Sequence, residues 1–170
     1  MSRPDFPDTF DVFPSNVIQI VAARMHQLWP STDVKMRALR VTDKGTAIGV
    51  FPSEWTPDVD SYEMQQMPNP RPAGHPTIQS YLINVQAFHK DMEPERAIRI
   101  HSLMSKRIRS LLYHDTPLAL GLQALRVELD GITETIQRRM IVRQKYLSNE
   151  IDGSWLYLST LQYLIETESK

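Results

Sequence analysis

Cysteine is absent from this sequence of 170 residues, and glycine is scarce, at six residues. Without a thiol the chain forms no disulfide, holds no thiolate-bound zinc and offers no cysteine nucleophile, and nothing in it requires an oxidising compartment. The glycine signatures of phosphate-binding loops, dinucleotide-binding turns and serine hydrolases do not occur. These absences exclude several enzyme classes, and we expect no cofactor.

Histidine is also sparse, and its five positions show no spacing typical of a metal-binding helix. His89, Asp91 and Glu93 stand close together where a strand is expected to lead into a helix. Acidic residues at that point favour the helix start, because they complement the positive end of its dipole. The alternative is a small metal-dependent hydrolase or nuclease that uses this cluster. We favour the helix start, and expect no catalytic residue, no metal site and no enzyme activity.

Neither sign of charge is in excess, since 19 lysines and arginines face 20 aspartates and glutamates for a net charge of -1. A chain so balanced is not built to coat DNA or an anionic membrane, so any nucleic-acid contact must be local. The sequence starts without the basic and apolar segments of a signal peptide, and no apolar run approaches the ~20 residues of a membrane span. The sequence predicts a soluble protein, made and kept in the cytoplasm, with no membrane partner.

Proline divides the chain into an arm, a loop and a domain. Residues 1–14 combine prolines with aspartates and favour an extended arm. Residues 52–76 hold six of the twelve prolines, which predicts a long loop of functional use inside a single domain of residues 15–170. Three aromatic side chains of the arm are expected to lie on the surface of a neighbouring subunit: Phe6, Phe10 and Phe13.

The first half of the domain shows one helical and three strand-like patterns. Apolar spacing predicts a helix over residues 16–29, which ends at Pro30. Two β-like runs, 35–42 and 46–51, flank an Asp-Lys-Gly sequence that suits a short hairpin loop, so we expect them to pair. Alternating apolar residues predict another strand over 77–89.

The second half begins with the clearest helix of the sequence. Proline and acids at the start, an apolar stripe and basic residues near the end predict a helix through about residue 113. A short helical turn over 115–125 and two long strands, 132–147 and 154–167, complete the chain, with Asp152-Gly153 marking the turn between the strands. The sequence thus predicts an α+β fold, in which a mostly antiparallel sheet packs against two main helices and ends in a long C-terminal β-hairpin.

The closing strands are unusually long and apolar. Each would span roughly 45–55 Å, more than twice the length of a typical strand, and would overrun one small domain. The last strand is apolar on both faces, which requires cover on both sides. A neighbouring copy would supply the second cover; alternatively, the first helix lies on that face. The residues expected at the subunit interface are Trp155, Leu156, Tyr157, Leu158 and Leu164.

The first of these strands alternates between apolar and basic residues. Ile136, Met140, Val142 and Tyr146 share one parity, which predicts a core face. The other parity is basic, and it has two interpretations. It is either a solvated surface that protects a long ribbon from aggregation, or a groove that faces a polyanion such as passing DNA. The basic residues concerned are Arg139, Arg143 and Lys145.

The C-terminal pattern RMIVRQKYLSNEIDGSWLYLSTLQYLIETE (residues 139–168), preceded by the second helix, resembles the tail terminator, or tail completion, proteins of siphovirus-type long-tailed phages. The order of the first helix, early hairpin, proline-rich loop and strand also resembles that family over about residues 15–167. The resemblance lies in strand lengths and apolar positions and involves no catalytic motif.

This resemblance implies a virion protein without an active site, located at the head-proximal end of the tail. Such a protein forms a ring, expected to be a hexamer, that caps the tail tube, ends tail polymerisation and joins the tail to the head neck. The implied partners are further copies of the chain, the major tail tube protein and a head–tail connector or stopper protein, with transient non-specific contact to passing DNA. Under this interpretation the three basic residues above would line the lumen. A head–tail connector or stopper ring is the alternative within the same class.

Overall fold

The computed structural model describes residues 15–43, 45–53 and 77–170. The predicted arm and nearly all of the predicted proline-rich loop lie outside these residues. Three helices and six strands are formed by the described residues, in the order α1 (Ser15–Leu28), β1 (Asp33–Lys35), β2 (Thr46–Pro52), β3 (Thr77–Asp91), α2 (Pro94–His114), α3 (Thr116–Ala124), β4 (Arg126–Leu129), β5 (Ile132–Ile151) and β6 (Ser154–Ser169).

The strands form a single sheet in the order β1-β2-β3-β6-β5-β4. Only β1 and β2 are parallel, and all other neighbours are antiparallel. The predicted α+β class, with a largely antiparallel sheet, two longer helices and a long C-terminal hairpin, is therefore confirmed.

The hairpin does not overrun the sheet, contrary to the sequence-based expectation. β3 is itself 15 residues long and pairs with β6 along its whole length, from Thr77 opposite Ser169 to Asp91 opposite Trp155. Because β6 has β3 on one side and β5 on the other, it is the central strand of three long ones. Its length is therefore matched within the chain.

Two Asp-Gly turns connect the C-terminal strands. Asp152 and Gly153 have φ angles of 51° and 74°, and Asp130 and Gly131 have φ angles of 53° and 78°. Both central positions are left-handed, as a tight two-residue hairpin requires, and aspartate and glycine tolerate that conformation best. The Asp152-Gly153 turn was predicted. The Asp130-Gly131 turn joins β4 to β5, a pairing that the sequence analysis missed because β4 has only four residues.

The helices all lie on one face of the sheet, which we call the helix face. Val21 of α1, Leu112 of α2 and Leu118 of α3 share one buried cluster with Ile83 of β3 and Ile165 of β6. The alternative that the first helix covers the opposite face is wrong, because α1 and α2 pack into the same core. We call the opposite side the back face.

The predicted hairpin of residues 35–42 with 46–51 is wrong. β1 ends at Lys35, and its parallel pairing with β2 sets Val34 opposite Ile48. The segment after β1 instead crosses the back face, where Leu39 packs beside a small buried cluster and its amide donates to Gln86 Oε1 at 3.0 Å. This segment gives the sheet part of its second cover.

Asp43 is the reason why that segment does not extend as a strand. Its carboxylate accepts hydrogen bonds from Arg37 Nη2 at 2.9 Å and from the Arg40 amide at 2.6 Å. Such side-chain bonds to nearby groups compete with a strand ladder. They also lower the pKa of Asp43 to about 2, with the Arg37 hydrogen bond as the largest cause.

Gly49 allows the segment to approach the sheet. A Cβ at this position would lie 2.6 Å from the carbonyl oxygen of Arg37, which is backbone and cannot simply rotate away. We therefore expect Gly49→Ala to lower the free energy of unfolding by roughly 1–3 kcal/mol, measured by denaturant titration. Gly121→Ala is the matched control: its Cβ would meet nothing closer than Ile20 Cγ2 at 3.7 Å, and alanine in a helix should add about 0.5–1 kcal/mol. Equal effects of the two changes would contradict the close approach at Gly49.

Candidate assembly surface

Two irregularities in the β5–β6 pairing decide which way the residues of β5 point. The register shifts between Ile136 and Arg138 and again between Ile141 and Arg143. Each shift adds one residue to β5, and a single added residue reverses the faces of all that follow. Simple alternation along the sequence therefore fails twice within this strand.

Arg139 is consequently separated from the other two basic residues predicted to share its face. It lies opposite Ile165 on the helix face, whereas Arg143 lies opposite Gln162 and Lys145 opposite Thr160, both on the back face. The predicted common basic parity is therefore wrong, and the bulge between Ile141 and Arg143 is the physical reason.

Arg139 instead contacts the core. Its Nη1 donates to the hydroxyl of Tyr163 at 3.1 Å. Burial raises the pKa of Tyr163, and the charge and hydrogen bond of Arg139 oppose that rise. The guanidinium of Arg139 therefore supports the packing of β6, and its charge is less accessible to a partner.

The back face of β5 keeps three basic residues. Arg138 forms an ion pair with Glu166 at 3.1 Å. Arg143 and Lys145 are exposed and have no acidic partner within 4.0 Å among the described residues. They are the two residues of the predicted lumen set that remain together on one open surface.

The predicted interface residues of β6 find much of their cover within the chain. Leu156 is buried in a small back-face cluster with Ala47 and Phe88, and Leu158 packs against the same cluster. Leu164 is also buried on the back face, between strands β3 and β5. Trp155 and Tyr157, on the helix face, are half-buried. The predicted arm aromatics Phe6, Phe10 and Phe13 lie outside the described residues.

The exposed apolar surface lies one strand further out, on β5. Tyr146 is 69% exposed and Leu147 57% exposed, and Met140 and Val142 are also exposed. The prediction that Met140, Val142 and Tyr146 form a core face is wrong. The first bulge turns Met140 to the back face, opposite Leu164, and Val142 is the added residue of the second bulge. The second bulge returns Tyr146 to the helix face, opposite Ser159 and near His101 of α2, but its side chain stays exposed there. Ile136 alone of that set packs against the core.

One edge of β5 is open for most of its length. β4 pairs only with residues 132–135, and no other strand of the described ranges pairs with that edge beyond this point. The hydroxyl of Tyr113 accepts the Ile141 amide at 3.3 Å and so satisfies one edge donor. An unpaired edge of this kind is a template for a further strand.

A groove runs between this part of β5 and α2. Its volume is about 230 Å³, and Lys106, Arg109, Gln144 and Tyr146 are among its lining residues. Arg109 donates to Gln144 Oε1 at 2.9 Å, and its guanidinium carbon stands 5.9 Å from the centre of the Tyr113 ring. We call the open edge of residues 136–151, together with Lys106 and Arg109, the β5 margin.

The β5 margin is the basic part of an otherwise acidic chain. It contains six lysines and arginines and one acidic residue, Glu150, while the remaining sequence has 13 basic and 19 acidic residues. The sequence analysis missed this asymmetry because it treated helix and strand separately. The hydrogen bond from α2 to Gln144 shows that the two elements are adjacent.

His101 is buried beneath the same groove. Its ring lies 5.8 Å from that of Tyr157 and 6.2 Å from that of Tyr146, and its Nε2 has no hydrogen-bond partner. Burial is the largest cause of its lowered pKa, and the nearby His89 adds to the effect. The imidazole therefore acts as a neutral packing residue at neutral pH.

The His89, Asp91 and Glu93 cluster begins a helix, as favoured from the sequence. The Glu93 amide donates to Asp91 Oδ1 at 3.1 Å just ahead of α2, and Arg96 holds the same carboxylate at 2.6 Å. His89 uses one ring nitrogen on Thr46 Oγ1 at 2.8 Å and the other on Asp91 at 3.3 Å. Within the described ranges, no group of three or more His, Asp or Glu residues is arranged to hold a metal ion.

Two carboxylates of these networks should make the protein sensitive to acid. The Arg96 hydrogen bond is the largest cause of a strongly lowered pKa at Asp91, and Asp43 is lowered to about 2. A lowered folded-state pKa stabilises the fold above the unfolded value of about 3.9, and this contribution is lost as the pH falls toward the folded value. We expect the melting temperature to fall between about pH 5 and pH 2. The loss should be smaller in Asp43→Asn, measured by circular dichroism; an identical profile in that variant would contradict the contribution of Asp43.

No helix among the described residues has the length and hydrophobicity to cross a membrane. No protein-family model matches the sequence, and no curated protein is significantly similar to it. Function is therefore inferred from the residue patterns and from the geometry of the β5 margin.

Proposed function

We propose that the protein is a structural subunit that assembles into a ring, and that this ring caps the tail tube of a long-tailed phage, ends its polymerisation and joins the tail to the head neck. The observation that carries the assembly role is the β5 margin. It offers an open strand edge, exposed apolar side chains and a concentration of unpaired positive charge on one part of the molecule.

The β5 margin has features that favour binding of a partner and features that prevent non-specific strand pairing. Met140, Tyr146 and Leu147 offer apolar area to a partner, whereas isolated exposed hydrophobic residues elsewhere need no explanation. Bulges, arginines and lysines are the devices by which sheet edges avoid indiscriminate pairing. An edge that carries both features is suited to one specific partner.

The resemblance to tail terminators supplies the kind of assembly. The first helix, the strand leading into a long helix and the closing hairpin of its pattern correspond to α1, β3, α2 and the β5–β6 hairpin, whereas the early hairpin does not form. A fold alone does not determine function, so the hexameric ring, the tube protein and the connector protein are proposed as partners on this resemblance. Arg143 and Lys145 are proposed to face the lumen, where passing DNA would meet them without sequence preference.

The test has two stages. Light scattering and negative-stain imaging of the purified chain should show closed rings of about six subunits. Added to polymerising tube protein, the rings should stop growth and sit at one tube end. A chain that stays monomeric both alone and with tubes would contradict the proposal. Rings that bind the portal-side neck protein but ignore tube ends would instead assign the connector or stopper role.

A further inference from the structure

The β5 margin has a defined set of requirements for a partner. Its open edge needs an extended backbone with free N–H and C=O groups. Its exposed apolar residues, such as Val142 and Leu147, need apolar side chains. Its positive charge beside the groove, from Lys106 and Arg109, needs carboxylates. An acidic, aromatic-bearing strand meets all three requirements together.

One segment of this chain has that chemistry. Residues 8–13 read Asp-Thr-Phe-Asp-Val-Phe, and the flanking Pro7 and Pro14 leave six consecutive residues with intact N–H donors. Threonine, valine and phenylalanine favour extended pairing. The first fourteen residues contain three aspartates and a single arginine, so their charge complements the margin.

The geometry favours delivery of this segment to a second copy. α1 begins at Ser15, which lines a cavity with Met36 and Pro52 beside β1 and β2. β5 is three strands away from β2 in the sheet, or roughly 14 Å at the usual ~4.8 Å spacing. Donor and acceptor thus lie toward opposite edges of one sheet. A contact between two different surfaces propagates from copy to copy and closes into a ring when the rotation allows.

We infer that residues 8–13 of one subunit add as a strand to the β5 margin of its neighbour. This inference rests on the proposed ring and names the contact that holds it together. Phe10 and Phe13 lie against the exposed apolar residues of β5, and Asp8 and Asp11 lie near Lys106 and Arg109, so that Arg143 and Lys145 stay open to the lumen. Passing DNA is the competing occupant of the surface at Lys106 and Arg109.

Two experiments test the contact. The first compares the full chain with a chain that starts at Phe13, by light scattering and imaging. The truncated chain should keep the melting temperature of the monomer and form no rings. The second uses the absence of cysteine: the double variant Val12→Cys, Leu147→Cys should form disulfide-linked ladders up to the size of the ring. The control variant Val12→Cys, Leu120→Cys, whose second site is exposed on α3, should form rings without the disulfide-linked ladder.

The outcomes separate this inference from the proposed function. Rings formed by the truncated chain would overturn the arm contact and leave the ring in place, whereas absence of rings from the full chain, both alone and with tubes, would overturn the ring itself. Disulfides formed only within single chains would also overturn the inference, since the arm would then fold onto its own margin. Capture of a short labelled DNA duplex by intact rings, lost in Lys106→Glu and kept in Lys145→Glu, would overturn it by giving the arm's site to nucleic acid.

Discussion

Leu156→Asp is expected to unfold the subunit, whereas Leu147→Asp should leave the fold intact and abolish the ring. Leu156 is 5% exposed and packs against Ala47 and Phe88. A carboxylate placed there without a partner costs several kcal/mol, which is comparable to the ~5–15 kcal/mol that stabilise a typical domain. Leu147 is 57% exposed, so the same change there should alter the free energy of unfolding by no more than about 0.5 kcal/mol.

The pair is a matched control because residue type, substitution and sheet are the same. Denaturant titration should give little or no folded protein for Leu156→Asp and a near wild-type curve for Leu147→Asp. Light scattering should find the second variant as a monomer. A folded Leu156→Asp would show that the back face is open to water. A Leu147→Asp variant that still forms rings would remove this residue from the interface.

Local rules of sequence predicted much of this fold. Proline at the start of α2, its apolar stripe and the Asp152-Gly153 turn are all encoded within a few residues, and the structure has each of them. These features are predictable because the physical cause and its effect are close in the chain. The helix start at Pro94, just after Asp91 and Glu93, is predictable for the same reason.

Long-range features were the ones that failed. Alternation placed Met140 in the core, but the bulge between Ile136 and Arg138 turns it to the back face. A bulge depends on how two strands fit each other, and no residue of β5 signals it alone. Leu39 likewise looked like a strand residue, although its position is set by the distant Gly49 and Gln86.

Correcting these errors moves the candidate assembly surface from β6 to the neighbouring strand β5. Apolar character on both faces of β6 first indicated a neighbouring chain as cover. The structure instead covers Leu156 with a small cluster of the same chain and makes β6 central. The exposed apolar side chains lie instead on β5, which has an open edge. The interface prediction for the β6 residues therefore has less physical support than one centred on β5.

Asp115→Ala is expected to lower the free energy of unfolding by more than the ~1 kcal/mol of a lost helix cap, because one carboxylate connects three helices. Asp115 follows α2 and caps α3 by accepting the Leu118 amide at 2.9 Å. The same carboxylate accepts two hydrogen bonds from Arg24 of α1, from Nε at 2.8 Å and from Nη2 at 3.1 Å. Removal of Asp115 would leave the mostly buried Arg24 without its counter-charge, which costs more than loss of the cap alone.

Two further variants separate the cap from the ion pair. Asp115→Asn keeps a cap acceptor and loses the charge, so its effect should lie between wild type and Asp115→Ala. Arg24→Met keeps an apolar stem for packing, and in that background Asp115→Ala should cost only the cap, about 1 kcal/mol. The difference between backgrounds measures the coupling, and equal costs in both would contradict the ion pair.

Because the Arg24 hydrogen bond is the largest cause of the lowered pKa of Asp115, the coupling should also shrink as the pH falls below about 4. A coupling that stays constant in acid would show that packing between α1 and α3, and not charge, holds these helices together.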